Sequence, residues 1–373
     1  MTDAATPTSD QPAARVPGGP TGARGPAVSP PPSPRQAAAA YLQPHVTAFL
    51  DAQGVIDHPA LVLERPARPE HGDLALNLAL RLAKPLGRRP LDIANDLAAA
   101  IPAGGPIAAV AVAPPGFLNL RLDLAWLFGT MREVVAAGPH WGRLDFGAGQ
   151  RVQVEFVSAN PTGPLLFSHG RGAVVGDTVA RLLDFTGHAV EREFYVNDAG
   201  RQVRVFGMSL VAARLGRPAP DDGYSGEYIQ ELAAAIPDEV WGGEPERLTR
   251  VTDWGIQHYL AEYRQHLGDI GIGFDHWFSE RDLYGEWSEA TRAVLAAQGA
   301  IAEHDGATWI TLPDGQEEVL VKSTGDGTYF WGDILYHRDK LVRRGFARAI
   351  DVWGADHQNQ VRRVKDVLSL FGV

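Results

Sequence analysis

Cysteine is absent from the 373 residues, which excludes disulfide bonds, thiolate metal sites and catalytic thiols. Long hydrophobic runs are also missing, since no uninterrupted apolar stretch approaches the ~18 residues of a membrane-spanning helix. Asp3 precedes every basic residue, so the charged-then-apolar order of a signal peptide is lacking. Together these absences predict a cytoplasmic protein with no membrane segment.

Lysine is scarce, because only Lys84, Lys322, Lys340 and Lys365 are found among 34 basic residues. With 45 acidic residues the formal net charge is −11, which argues against non-specific coating of nucleic acid but permits a local basic face. The 45% hydrophobic and 21% charged fractions are typical of a globular protein. A length of 373 residues predicts about two domains.

The first 150 residues divide into three parts. Residues 1–36 contain nine prolines and no aromatic residue, so we expect a disordered, proline-rich tail. Apolar periodicity over residues 37–125 predicts a small α+β domain, and residues 126–150 are expected to be a linker. The elements predicted for the small domain are a helix through Tyr41–Leu50, a strand at Leu61–Glu64, helices at Leu74–Leu82 and Leu91–Ala100, and paired strands at Ile107–Val112 and Phe117–Leu122.

In residues 151–373 strands alternate with helices, which predicts an α/β fold with a doubly wound parallel sheet. Residues 216–330 carry amphipathic helices and a hairpin pattern at Thr308–Leu320, so we interpret them as an α+β insertion. The predicted elements of the sheet half are strands at Arg151–Val157, Val190–Val196 and Ala349–Trp353, and helices at His169–Phe185 and Asn359–Phe371.

The loop between the first strand and helix of this half is a candidate ligand site. Ligands of open α/β sheets bind beyond the carboxyl ends of strands, where helix N-termini present unpaired N–H groups. Pro161 and Pro164 stiffen the loop, Gly163 allows close backbone approach, and His169 with Arg171 begins the helix. A phosphate-bearing ligand is one interpretation. The alternative is that Asn160 and the prolines only shape a turn and His169 caps the helix.

Two other motifs do not support a function. Gly170, Gly172 and Gly176 resemble a dinucleotide fingerprint, but they lie inside the predicted helix with the wrong spacing. His337-Arg-Asp339 matches the start of a kinase catalytic loop, yet Arg344 occupies the position where asparagine is needed.

Several motifs together resemble bacterial arginyl-tRNA synthetase, a class I aminoacyl-tRNA synthetase, over about residues 40–373. The resemblance implies a Rossmann-like class I catalytic domain preceded by an additional domain that contacts the tRNA elbow. The motifs are Glu70-His-Gly-Asp-Leu-Ala-Leu-Asn77, Pro115-Gly-Phe-Leu-Asn-Leu-Arg121, Val157-Ser-Ala-Asn-Pro-Thr-Gly-Pro-Leu165, His169-Gly-Arg-Gly-Ala-Val-Val-Gly-Asp177, Tyr195-Val-Asn-Asp-Ala-Gly-Arg-Gln202, Trp277-Phe-Ser-Glu280, Tyr336-His-Arg-Asp-Lys340 and Asp351-Val-Trp-Gly-Ala-Asp-His357.

The resemblance implies ATP-dependent activation of arginine and its transfer to tRNA. Asp333 and Glu155 would face the guanidinium, since carboxylates suit its planar fork of donors, with Tyr329 packing beside it. Ser158 and Asn160 would hold the α-amino and carboxylate groups. The positions implied for ATP are Pro161, Thr162, Gly163, Pro164, His169, Gly354, Asp356 and His357.

The resemblance implies arginine, ATP and the arginine tRNA as partners of a monomer. Mg²⁺ would arrive with the ATP phosphates. We expect no tightly bound metal, because the adjacent residues Asp356 and His357 on a loop are a weak ligand pattern.

Two departures from the family pattern bear on catalysis. Where the family has His-x-Gly-His, this chain has Leu166-Phe-Ser-His169, so Leu166 and Ser168 replace a histidine and a glycine and only His169 remains. The sequence also stops at Val373, before the family's lysine-rich loop and anticodon-binding domain. Three interpretations stay open: a truncated arginine–tRNA ligase, a non-catalytic descendant that binds arginine, nucleotide or tRNA, and a non-functional remnant.

Overall fold

The computed structural model describes residues 32–354 and 358–373, in two units that divide at Leu144 and Asp145. Residues 1–31 of the predicted tail therefore lie outside the described residues. The first helix already begins at Pro34, inside the range expected to be tail. Ser33 starts it because its Oγ accepts a hydrogen bond from the Gln36 backbone N–H, while the Gln36 side chain accepts one from the Ser33 N–H, an arrangement that satisfies two unpaired donors.

The N-terminal unit is an α+β structure with a four-stranded antiparallel sheet in the order β1-β2-β4-β3. Its core is formed by apolar side chains of the sheet and of the first three helices, which explains the period-2 and helical patterns of the sequence. Its elements are α1 (Pro34–Ala52), β1 (Leu63–Glu64), β2 (Leu74–Leu76), α2 (Leu78–Leu86), α3 (Pro90–Ala100), β3 (Ile107–Ala113), β4 (Phe117–Leu122) and α4 (Leu124–Ala137).

One sequence interpretation needs correction in this unit. The helix expected over Leu74–Leu82 is divided, because Leu74 and Leu76 are buried in β2, which pairs with β4, and the helix starts only at Leu78. The expected linker 126–150 contains most of α4, whose first turn is capped by Asp123 accepting from the Trp126 N–H at 2.7 Å, and the boundary between the two units lies within this range. Short strands and capped helices are easily hidden in leucine- and alanine-rich sequence.

The C-terminal unit contains a parallel sheet in the order β11-β5-β6-β7 and a separate antiparallel sheet in the order β10-β9-β8. The predicted α/β fold with a parallel sheet is confirmed. Its elements are β5 (Arg151–Glu155), α5 (Phe167–Phe185), β6 (Ala189–Val196), α6 (Gly200–Arg214), α7 (Glu227–Ala234), α8 (Asp238–Trp241), α9 (Arg247–Asp269), β7 (His276–Ser279), α10 (Glu286–Ala297), β8 (Ile301–His304), β9 (Ala307–Thr311), β10 (Glu317–Val321), α11 (Tyr329–Arg338), β11 (Arg348–Asp351) and α12 (Gln358–Ser369).

The region expected to be an insertion, residues 216–330, contributes directly to the parallel sheet. Strand β7 comes from its middle and pairs with β6, and the Trp277 ring stacks on Phe194 with centroids 4.4 Å apart. Helix α9 packs with α6 in the core of the same unit. The aromatic side chains of this short strand bury too much surface to lie outside the sheet, so the predicted insertion boundaries do not separate a structural unit.

The strand order places a crevice between β5 and β11. The chain proceeds from β5 to β6 and β7 on one side, then returns to place β11 on the other side of β5. Loops that follow two such strands diverge, and this switch point is where open α/β sheets bind ligands. Among the described residues, no helix is both long and apolar enough to cross a bilayer.

Gly176 allows α5 to lie directly on β5, because a β-carbon at this position would overlap the side chain of Phe156. We expect Gly176→Ala to lower the free energy of unfolding by about 1–3 kcal/mol through overpacking. Gly172→Ala in the same helix is the control, since nothing lies within 4 Å of that position, and it should be neutral or stabilising by about 0.5–1 kcal/mol. Urea unfolding measures both, and equal effects would contradict the packing role of Gly176.

Candidate functional site

A buried lysine joins the carboxyl ends of β5 and β11. Glu155 and Asp351 end these strands and face each other in register. The Nζ atom of Lys340 donates to Glu155 Oε2 at 2.6 Å and to Asp351 Oδ1 at 2.5 Å, and its side chain is fully buried. The ammonium also lies 4.0 Å from the centroid of the Tyr336 ring. One of only four lysines in the chain therefore holds together the floor of the crevice.

The protonation of this triad follows from one cation shared by two carboxylates. Burial raises the pKa of Glu155 to about 7, against the attraction of Lys340. Burial acts in the same direction on Asp351, but Lys340 and His337 outweigh it and hold its pKa well below the usual range. The two carboxylates in turn raise the pKa of Lys340 despite its burial. Of the two carboxyl groups, Glu155 is thus the one whose charged form is less favoured.

His337 connects this triad to helix α11. Its Nε2 atom lies 3.1 Å from Asp351 Oδ2, and its Nδ1 atom lies 2.8 Å from the backbone oxygen of Asp333, one helical turn earlier. Because a carbonyl oxygen can only accept, Nδ1 carries a proton. The histidine sits in the helix turn before Lys340, so both residues reach the end of β11 from the same segment.

A second group of polar side chains surrounds Gly332 on α11. A β-carbon at Gly332 would lie 3.8 Å from Glu280 Oε1 and 4.0 Å from the hydroxyl oxygens of Tyr195 and Tyr284. The next residue, Asp333, accepts a hydrogen bond from Gln360 of α12. These elements therefore bring two carboxylates and two tyrosine hydroxyls to one place.

The charged forms of the two carboxylates in this second group are disfavoured by their surroundings. Burial raises the pKa of Asp333, and burial together with Asp198 and Asp333 raises the pKa of Glu280, although a 2.8 Å hydrogen bond from the Tyr284 hydroxyl opposes the shift. Both acids accept hydrogen bonds from neutral groups. A cation placed between them would relieve this penalty. Glu280 ends the motif Trp277–Glu280, but a carboxylate after a short aromatic strand has no sequence pattern that predicts its role.

The loop after β5 starts with strained backbone. Val157 and Ser158 have φ angles of 69° and 41°, a region that a β-branched residue rarely enters and that clusters at functional sites. Ser158 is held there by its hydroxyl, which donates to Glu155 Oε1 at 2.8 Å and accepts from the Tyr195 N–H at 3.1 Å. The residue predicted to hold the substrate is thus also bonded to the floor of the crevice.

The rest of the loop leads to the N-terminus of α5. Asn160 is exposed, and its Nδ2 donates to Gln202 at 3.0 Å, whereas Pro161 and Thr162 are buried. Gly163 lies against Tyr228, since a β-carbon there would be 3.4 Å from that ring. Pro164 is exposed at the turn into the helix.

One ring nitrogen of His169 is already used inside the protein, which leaves the other to face a ligand. The backbone N–H of Leu166 donates to His169 Nδ1 at 3.0 Å, so in the neutral ring the proton must be on Nε2. That N–H is then free to donate to an anion at the helix N-terminus, where the helix dipole also favours negative charge. The side chain of Leu166 is 62% exposed and apolar, and Ser168 is exposed on the first turn.

The other predicted site residues lie further apart or outside the described part. Tyr329 begins α11 with its side chain 72% exposed, and Gly354 follows β11 in an exposed position. Asp356 and His357 lie outside the described residues. The structure therefore brings Glu155, Ser158 and Asp333 to the crevice. The roles of all the site residues stay predictions.

A separate acidic cluster resembles a metal site but already contains a cation. Glu191, Glu193 and His276 offer ligand atoms close enough to share an ion. However, the Arg344 guanidinium is bonded to both glutamates, at 3.2 Å in the case of Glu191. Despite burial, Arg344 and His276 lower the pKa of Glu193 to about 2. The cluster is therefore an ion-pair network that braces β6 and β7.

Two family profiles match the chain. The N terminal domain of arginyl tRNA synthetase matches residues 40–122, and the catalytic domain of class I (R) tRNA synthetases matches residues 142–364. The chain belongs to the arginyl-tRNA synthetase family. The resemblance drawn from the sequence motifs is confirmed, as is the class I fold.

Related proteins extend beyond the matched part. Arginine--tRNA ligases of Desulforudis audaxviator and Dehalococcoides mccartyi are 44% and 40% identical over 84% and 83% of this chain, and the match covers 58% of each. A solved arginyl-tRNA synthetase from Campylobacter jejuni is 32% identical with a TM-score of 0.60, covering 68% of this chain and 58% of that one. A Plasmodium falciparum structure, 14% identical with a TM-score of 0.53, covers 90% and 62% and shows the fold alone. The chain thus spans somewhat more than half the length of these relatives.

Removing the buried cation should destabilise the C-terminal unit in a pH-dependent way. We expect Lys340→Met to lower the free energy of unfolding by about 3–5 kcal/mol at neutral to alkaline pH, because it leaves Glu155 and Asp351 buried without their partner. Without the lysine both carboxyl pKa values rise, so the loss should shrink as pH falls from about 8 to about 5 and the acids become protonated.

Lys365→Met is the control, because this lysine is exposed on α12, and it should change stability by less than about 0.5 kcal/mol. Urea titrations of the three proteins at both pH values measure the effect. A deficit for Lys340→Met that grows on acidification would show that the triad has been assigned the wrong charges.

Proposed function

We propose that this chain binds arginine and ATP in the crevice beside β5 and β11 and is the arginine-activating part of an arginine–tRNA ligase. The product would be an arginyl adenylate, destined for transfer to the arginine tRNA. Mg²⁺ would enter with the ATP phosphates. We further propose that the protein acts as a monomer in the cytoplasm, and that residues 37–125 form the domain that contacts the tRNA.

The observation that carries the proposal is the pair of carboxylates with raised pKa values, Asp333 and Glu280, near two tyrosine hydroxyls. A guanidinium is planar, permanently charged and rich in donors, so it satisfies several acceptors at once. Lysine presents a point charge and would leave one of these acids poorly paired. Glu155 is a weaker candidate for this contact than the sequence implied, because Lys340 and Ser158 already bond both of its oxygens.

The chemistry needs no covalent nucleophile from the protein. The carboxylate of arginine attacks the α-phosphorus of ATP, a P–O bond to pyrophosphate breaks, and pyrophosphate leaves with the electron pair. The task of the protein is to align two anions and to stabilise the charge that develops on the phosphoryl oxygens. His169 Nε2–H and the N-terminus of α5 are the donors that support this role, on the same loop as Pro161, Thr162, Gly163 and Pro164.

A second candidate function is arginine binding without catalysis. The observation in its favour is Leu166, whose apolar, exposed side chain stands where the family pattern has a histidine. An alkyl group cannot donate a hydrogen bond to a phosphate, and the loss of one positioned donor commonly costs about 10²–10³ in rate. Both candidates share the arginine pocket and differ in what happens at the phosphates.

Asp333→Asn tests the arginine pocket. We expect arginine binding to weaken by about 3–5 kcal/mol, because a desolvated guanidinium would lose its charged partner. Isothermal calorimetry measures the affinity. Asp282→Asn removes the same charge from an exposed position two residues from Glu280, and it should alter the affinity by less than about 0.5 kcal/mol. Unchanged arginine affinity in Asp333→Asn would refute the pocket.

Leu166→His distinguishes the two candidate functions. If the chain is catalytic, arginine- and tRNA-dependent exchange of pyrophosphate into ATP should be slow in the wild type and rise by about 10²–10³ in Leu166→His. Leu182→His is the matched control, because Leu182 is equally exposed on α5 but lies four turns from the loop. Arginine binding with no exchange in any variant would favour the non-catalytic candidate.

A further inference from the structure

The buried hydroxyl of Tyr263 contacts both ends of the turn that follows the strained residues Val157 and Ser158. Tyr263 of α9 donates its hydroxyl proton to the backbone oxygen of Asn160 at 3.0 Å and also contacts the backbone oxygen of Gly163. Its side chain is only 1% exposed. A buried tyrosine hydroxyl requires a partner, and here the partners are two carbonyl groups of one short turn.

The turn has few hydrogen bonds of its own. Pro161 and Pro164 have no N–H to donate, and the Thr162 N–H bonds back to Asn160 O at 2.8 Å. The Tyr228 ring packs beside Gly163. Tyrosines from outside the loop therefore supply contacts that its proline-rich sequence cannot make. Tyr263 thus holds the turn that directly follows the strained residues Val157 and Ser158.

We propose that Tyr263 is a positioning residue for nucleotide binding, which acts by fixing the backbone of residues 160–163 at the crevice. This inference rests on the proposed function in that the loop is taken to contact ATP. The guanidinium pocket of Asp333 and Glu280 is built from α11 and the segment after β7, so Tyr263 does not belong to it. Within the turn only Asn160 is expected to hold arginine, and Tyr263 bonds the backbone of Asn160, not its side chain.

The test compares Tyr263→Phe with Tyr259→Phe. Tyr259 lies one turn earlier in α9, is 3% exposed and contacts the rings of Phe206 and Tyr263, so Tyr259→Phe removes a hydroxyl from another buried tyrosine of the same helix and leaves the hydrogen bonds to the loop in place. For Tyr263→Phe we expect ATP affinity to fall roughly threefold to tenfold, the effect of one lost hydrogen bond. Arginine affinity should fall less, because Asn160 is the only residue of the turn expected to hold arginine. Tyr259→Phe should leave the ratio of the two affinities unchanged.

Hydrogen–deuterium exchange provides a measurement that does not depend on ATP. The N–H groups of Ser158 and Thr162 bond within the loop, so a peptide covering residues 157–165 should exchange faster in Tyr263→Phe and at the wild-type rate in Tyr259→Phe. If the wild type binds no ATP, the nucleotide part of the proposed function is wrong, and faster loop exchange alone still supports Tyr263 as the loop anchor.

Three outcomes would overturn the inference. The first is wild-type loop exchange in Tyr263→Phe. The second is an equal loss of ATP and arginine affinity together with a lowered melting temperature, which would make Tyr263 an ordinary core residue. The third is a Tyr263→Phe protein that does not fold. Because phenylalanine retains the packing of the ring and only the hydroxyl is lost, this result would mean that the hydroxyl is needed for the fold itself.

Discussion

The buried ammonium of Lys340 is the contact on which the architecture of the crevice depends. It closes a gap between two strand ends that would otherwise place Glu155 and Asp351 side by side without compensation. Opposite charges in a buried site are tolerated only when geometry and further hydrogen bonds are good, and His337 and Ser158 supply these further bonds. The pairing of β5 with β11 is thus reinforced by the ion pairs of Lys340 at the site itself.

The site combines rigid and strained parts in a consistent way. The rigid part is the pair of strand ends with its lysine, and the strained part is the loop that begins at Val157 and Ser158. Ser158 belongs to both, since its hydroxyl bonds Glu155 on one side and the backbone of β6 on the other. Strained backbone of this kind persists where many surrounding contacts fix it, and a loop that directly follows a central strand has such contacts.

Much of this arrangement was predictable from the sequence, and the exceptions have physical causes. Alternating strand and helix patterns predicted the parallel sheet, and Pro161, Gly163 and His169 marked the loop. Lys340 ends the motif Tyr336–Lys340, but its pairing with Glu155 joins residues 185 positions apart and leaves no local pattern. Tyr263 has the spacing of any core residue in an amphipathic helix, so the sequence gives no indication of its hydroxyl contacts.

The register between β5 and β11 limits how the chain can change in length. Side chains alternate across a strand, so one inserted or deleted residue in either strand would turn its carboxylate to the opposite face. Glu155 and Asp351 would then no longer share Lys340. The turn between β9 and β10, closed by Leu312 and Gln316, carries no such constraint. A change in chain length is therefore tolerable at that exposed hairpin, while the lengths of β5 and β11 are fixed to the residue.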